Sequence, residues 1–198
     1  MAAELAPLPQ ALTTGLLELA RAFEQKNIAY ALIGGVATGF RSRPRFTRDL
    51  DFLLEVPQLT LPPLLDELSQ RGFEFEPATV VRQWNQEHLT TLAFQGVRID
   101  WLKPVLSCYR HIIDHAIPEQ LSGSVVRIAS AEGLILLKLI AFRDQDQWDV
   151  QNLLAANRDR LNLGLIRQDW QSMADLNDPR MMRFEEWVKQ YYNAAPGD

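Results

Sequence analysis

The 198-residue chain has a single cysteine, no long apolar run and no surplus of positive charge. One thiol, Cys108, excludes an intrachain disulfide and fits a reducing compartment. No apolar stretch approaches the roughly 20 residues that a membrane helix needs, so no membrane partner is expected. The start, Met1-Ala-Ala-Glu-Leu-Ala-Pro7, lacks the basic opening of a secretory signal, and the expected location is the cytoplasm. Against 25 Asp and Glu stand 20 Lys and Arg, a formal charge of −5 that argues against a generally basic nucleic-acid coat and leaves room for a local basic groove. Low-complexity tracts and internal repeats are absent too.

What is present is an ordinary globular composition, 47% apolar and 23% charged, enough for one good core. Its most informative stretch joins a glycine turn to two acids. An apolar run rich in strand formers, Ile28-Ala-Tyr-Ala-Leu-Ile33, ends at Gly34-Gly35; a short helical turn and a basic loop with Arg41, Arg43, Arg45 and Arg48 follow. The next strand is Asp49-Leu-Asp-Phe-Leu-Leu54. Side chains alternate along a strand, so Asp49 and Asp51 share a face, about 6.5 to 7 Å apart at Cα. Two such carboxylates can clamp a hard divalent cation.

Along the chain, apolar spacing predicts an amphipathic helix over 12–26, strands at about 28–33 and 49–54, and a helix over 61–70 closed by Gly72. The stretch 73–101 reads as β-rich, with Gln95-Gly96 as a hairpin turn between 88–94 and 97–102. A helix over 106–117, a loop at Gly123 and a strand at 125–128 come next. Ser130 reads as the N-cap of a nearly all-apolar helix, and further helices are expected over 147–156, 163–174 and from Asp178-Pro179 onward, with a frayed tail at 194–198. The predicted fold class is α/β (α+β): a mixed sheet in residues 1–129 and a helical part in 130–198.

A third acid, Asp100, sits in the apolar strand Val97-Arg-Ile-Asp-Trp-Leu102, where a carboxylate needs a cation or hydrogen-bond partners unless it faces solvent. Beside Asp49 and Asp51 it would complete a three-carboxylate site able to hold two divalent ions, orient a triphosphate and activate a hydroxyl. For an isolated Asp-x-Asp the solvent-facing reading is preferred; the upstream glycines and the third acid favour a site. Gly34 and Gly35 let backbone amides approach phosphate at a helix start. Thr47 shares the face of Asp49 and Asp51, to bond a phosphate or brace an aspartate. Arg45 and Arg48 stand closer to the acids than Arg41 and Arg43, which read as a solvated loop.

Other candidates carry less. Cys108, His111 and His115 offer i, i+4 histidines, but a structural zinc site wants four ligands and no partner pair is visible. Trp148, Trp170, Trp187, Tyr191 and Tyr192 read as packing residues rather than a base-stacking platform.

Gly34-Gly35, Asp49-x-Asp51 and Asp100 on a later strand resemble the nucleotidyltransferase superfamily with the DNA polymerase β-like fold. The run Gly34-Gly-Val-Ala-Thr-Gly-Phe40 through Arg45-Phe-Thr-Arg-Asp-Leu-Asp-Phe52 is most similar to the AbiEii-type toxins and their uncharacterised relatives. A second segment, Ser130-Ala-Glu-Gly-Leu-Ile-Leu-Leu-Lys-Leu-Ile-Ala-Phe-Arg143 with Asp144-Gln-Asp-Gln-Trp-Asp-Val150, resembles the one in which a helical Lys and Arg precede two acids three apart. The chain departs at Asp144-Gln-Asp-Gln147, where the family often has a basic residue before the first acid. The resemblance implies a nucleoside triphosphate substrate with Mg²⁺ or Mn²⁺, metal ligands Asp49, Asp51 and Asp100, and nucleotide contacts from Gly34, Gly35, Arg45, Thr47, Lys138 and Asp149. Arg143 and Asp146 would form the adjoining pair. It further implies RNA, with the tRNA 3′ end included, as acceptor and a cognate antitoxin as partner. A protein acceptor, or nucleotide and partner binding without transfer, are the rival readings. From the residues alone, Lys138 either snorkels outward or faces a polar cleft, and Asp146 either caps a helix or serves the site.

Overall fold

The computed structural model describes residues 8–44 and 46–193; Arg45 and the expected tail at 194–198 lie outside the described residues. Six strands form one mixed sheet: β1 (Ala29–Ile33), β2 (Asp49–Glu55), β3 (Leu89–Phe94), β4 (Val97–Leu102), β5 (Ile117–Leu121) and β6 (Ser124–Ile128). Their order across the sheet is β3-β4-β2-β1-β6-β5. β2 runs antiparallel to β1 and parallel to β4, so the acid-bearing strand is central, with Ile33 opposite Asp51 on one side and Asp100 opposite Asp51 on the other.

The pleat sorts β2 into two faces. Phe52 points to the helix α1 (Gln10–Gln25), where Phe23 meets Tyr30, Phe52 and Trp101 at ring-centroid distances of 5.0, 5.5 and 5.7 Å. Leu12, Leu16, Leu19 and Phe23 of α1 are buried at helical spacing and close this face. Asp49 and Asp51 therefore point to the opposite face. Packed there are α2 (Gly34–Arg41) and α5 (Ser107–Asp114), with α6 (Ala131–Ala141) packed on α2.

Two elements depart from the sequence expectation. Within the stretch expected to be β-rich lies α4 (Pro77–Gln86), following α3 (Leu61–Gln70). Pro77 sits in its first turn, the Glu76 carboxylate accepts from the Ala78 and Thr79 amides, and Val80 and Trp84, four apart, are its buried residues. The helix expected to reach Ile117 stops at Asp114, and Ile117 opens β5. That strand is a mostly exposed edge containing Pro118, so it lacks the alternation that marks a half-buried strand. Both hairpin turns, Gln95-Gly96 and Ser122-Gly123, have two consecutive residues at positive φ, the type I′ pattern.

The remaining helices are α7 (Asp144–Ala156), α8 (Leu163–Gln171) and α9 (Pro179–Asn193). α6 packs against α2, α7, α8 and α9, which is why it is apolar on nearly every side. The Ser130 side chain caps it by accepting from the Gly133 amide at 3.1 Å. Ser130→Ala is expected to cost about 1 kcal/mol, read as a lower urea midpoint at unchanged slope.

Candidate active site

A cleft of about 480 Å³ opens where the β1–α2 turn, the acid face of β2 and β4, and α6 meet. Thr47, Asp49, Asp51, Arg98 and Asp100 line it from the sheet, Gly34 and Gly35 from the turn, and Lys138, Arg143, Gln145 and Asp146 from the helices. A second groove, about 450 Å³ between α3 and α4, brings a single carboxylate, Asp66, to its lining and holds no comparable charge set.

The acids are crowded by the sheet itself. Asp49 and Asp51 project from one face of β2, and the parallel register sets Asp100 beside Asp51 and Arg98 beside Asp49. Burial, then the charges of Asp100 and Asp49, push the Asp51 carboxyl up to about 6, against the weaker pull of Lys138 and a hydrogen bond from the Gly35 amide. Asp100 is engaged from two sides: Thr91 Oγ1 donates to it at 2.6 Å, and Arg98 Nε lies 3.0 Å from each of its oxygens.

Gly34 is required by this crowding. It has φ +68°, and a Cβ there would lie 1.9 Å from Asp51 Oδ2 and 2.5 Å from its Cγ. The buried Thr38 hydroxyl donates to the Gly34 carbonyl at 2.8 Å and holds the turn. The first turn of α2 thus presents its positive end to the Asp51 carboxylate.

Lys138 faces inward. Its Nζ lies 2.9 Å from Asp146 and 2.8 Å from Asp149, and all three residues are buried. Asp146 also accepts from the Arg143 amide at 3.2 Å and from Arg143 Nε at 2.6 Å, so it caps α7 and lines the cleft at once. Burial alone would raise the Asp146 carboxyl, but the hydrogen bonds from Arg143 and Lys138 carry it below its ordinary value. Asp149 is absent from the cleft lining; it stands behind Lys138 and holds the ammonium from the buried side.

A sequence profile for the family described as "Nucleotidyl transferase of unknown function" matches residues 12–184. The chain belongs to this family. No curated protein sequence matches it. Among solved structures, an antigenic nucleotidyltransferase-like protein from Paracoccidioides brasiliensis superposes with a TM-score of 0.48 at 16% identity, over 95% of this chain and 100% of that one. A nucleotidyltransferase from H. pylori superposes with a TM-score of 0.48 at 16% identity, over 94% and 96%. The lincomycin-bound lincosamide adenylyltransferase LnuA gives 0.46 at 15%, over 76% and 99%.

Nucleotidyltransferases use a nucleoside triphosphate and, in general, a divalent metal ion. The donor chemistry of this member suits such an ion: three hard carboxylates on adjoining strands, one of them destabilised as an anion by burial and then by the other two. Among the described residues, no three or more His, Cys, Asp or Glu side chains are gathered tightly enough to form a metal-binding group. Asp100 is instead tied to Arg98 and Thr91.

Of the residues expected from sequence, the cleft brings together Gly34, Gly35, Thr47, Asp49, Asp51, Asp100 and Lys138. Arg41 turns away, donating to the carbonyls of Ala129 and Ile128 and pairing with Glu119, which corrects its reading as a solvated residue. Arg48 lies over the Phe46 ring at 5.4 Å. His111 pairs with Asp169, and Cys108 is buried near Met173. Missed by the sequence reading were Arg98 and Thr91; the signal available for Arg98 was its i, i+2 spacing to Asp100. Among the described residues, no helix is long and apolar enough to cross a membrane.

Two stability measurements probe this arrangement. The folded protein retains the Asp51 proton to about pH 6, whereas an unfolded chain releases it near its ordinary value of 3.8. This group's stabilising contribution is therefore full below about pH 4 and is lost as pH rises through about 6. Asp51→Asn should gain stability relative to wild type across that window in metal-free urea titrations. Lys138→Met leaves two buried carboxylates without their ammonium and should lose about 3 to 5 kcal/mol at pH 7.5, with part of the loss recovered at acidic pH.

Proposed function

We propose that the protein moves a nucleotidyl group from a nucleoside triphosphate to an acceptor hydroxyl. The observation that carries this reading is the acid rung, Asp51 beside Asp100 with Asp49 on the same face, under a glycine-started helix. Asp49, Asp51 and Asp100 would hold Mg²⁺ or Mn²⁺, which supplies Lewis-acid polarisation of the phosphoryl oxygens and lowers the cost of ionising the attacking hydroxyl. Gly34 and Gly35 receive the phosphates at the start of α2, and Thr47 reaches them from the segment before β2. Asp100 takes the acceptor proton as the new oxygen–phosphorus bond forms at the α-phosphorus and pyrophosphate departs. Lys138, oriented by Asp146 and Asp149, places positive charge at the α6 wall of the cleft. Residues 1–129 then supply the acid rung, and 130–198 supply Lys138 with its Asp146 and Asp149 partners.

The resemblance to AbiEii-type toxins supports RNA as acceptor, with the tRNA 3′ end included, and a cognate antitoxin as partner. The net charge of −5 supports a second reading, transfer to a partner protein, because phosphate neutralisation dominates nucleic-acid binding.

The test is transfer of label from each α-labelled nucleoside triphosphate, with Mg²⁺, into cell extract. Label removed by ribonuclease identifies RNA; label removed only by protease identifies protein. Asp51→Ala should reduce transfer about a thousandfold or more, the rate equivalent of several kcal/mol of lost charge stabilisation. Absence of transfer by folded wild-type protein with every nucleotide would overturn the reading.

A further inference from the structure

Arg98 is a charged lining residue that the transfer reading leaves without a task. It stands two residues before Asp100 on β4, on the same face, and pairs across the ladder with Asp49. Its Nε bridges both Asp100 oxygens at 3.0 Å, while Thr91 Oγ1 donates to Oδ1 at 2.6 Å. This guanidinium therefore occupies the coordinating edge of Asp100, the edge a cation shared with Asp51 would need. Its side chain is 59% exposed, so it can leave without opening the core, whereas Asp100, at 22%, stays in the cleft.

We propose that Arg98 is a built-in counter-ion of the acidic cluster, which a divalent cation must displace from Asp100 to complete its own coordination. The proposal rests on the cation-site reading above. The Arg98 Nε–H is shared between the two Asp100 oxygens that a cation would take, so the two compete for one acceptor rather than sitting side by side. Arg98 then offsets the clustered carboxylate charge when the cleft is empty and raises the cation concentration at which the site fills.

The experiment is Mn²⁺ titration of nucleotide-free protein, read by the loss of the free-ion electron paramagnetic resonance signal. It uses wild type, Arg98→Ala, Asp100→Asn and the double variant, with folding checked by circular dichroism. Arg98→Ala should bind Mn²⁺ about three- to tenfold more tightly than wild type, as expected on removing an exposed competing ion pair of good geometry. The gain should vanish in the Asp100→Asn background, because no carboxylate remains to compete for. An equal gain there would show a through-space charge effect and overturn the displacement. Unchanged or weaker binding by folded Arg98→Ala would also overturn it while leaving the cation site standing. Failure of wild type and Arg98→Ala alike to bind Mn²⁺ at millimolar concentration would remove both the cation site and this proposal.

Discussion

Like charge forced together by strand register is the constraint around which the cleft is organised. The pleat puts Asp49 and Asp51 on one face, and the parallel pairing of β2 with β4 sets Asp100 on the same rung as Asp51. Neither arrangement can relax without a shift in register, which would carry Phe52 and Trp101 out of their packing against Phe23. The aromatic side of the sheet thus holds the acidic side in a configuration that electrostatics alone would disperse. Burial first, and then this crowding by Asp100 and Asp49, raises the Asp51 carboxyl.

The surroundings of the acids answer this charge in graded ways. Gly34 yields space, since any side chain there would overlap Asp51, and the following helix start offers the Gly35 amide. Arg98 and Thr91 bind Asp100 directly from the sheet. Across the cleft, Lys138 is committed to Asp146 and Asp149 and acts on Asp51 only through space. A lysine held by two buried carboxylates is a rigid positive charge, suited to standing at a chosen position rather than following a ligand into solvent. The cleft thus sets Arg98, Lys138 and Arg143 against Asp49, Asp51, Asp100 and Asp146, and keeps the acidic balance of the chain as a whole.

The Lys138 network locks α6 to α7 within the helical C-terminal part, and α2 joins both to the sheet. α6 supplies the lysine, the first turns of α7 supply both its partners, and α2 packs against both helices. Asp146 closes the start of α7 through the Arg143 amide while accepting from Lys138. Asp146, read from sequence as cap or site residue, caps α7 and also lines the cleft, because one carboxylate has enough acceptor positions for the Arg143 amide and Lys138 together.

Most of the fold was legible where side-chain periodicity was strong. β2, the Gln95-Gly96 hairpin, α3 and the Ser130-capped α6 stand close to where spacing and turn chemistry put them. α4 and β5 were not, because α4 buries only Val80 and Trp84, and an exposed edge strand with a proline leaves little alternation to read. The sequence by itself determined which acids share a strand face, since alternation is a property of local backbone geometry. Only the tertiary structure decided that Asp100 stands beside Asp51, that Arg98 and Thr91 hold it, and that Asp149 lies behind Lys138 and outside the cleft lining. Strand order brings Asp51 beside Asp100 from elsewhere in the chain, and no local pattern encodes that pairing.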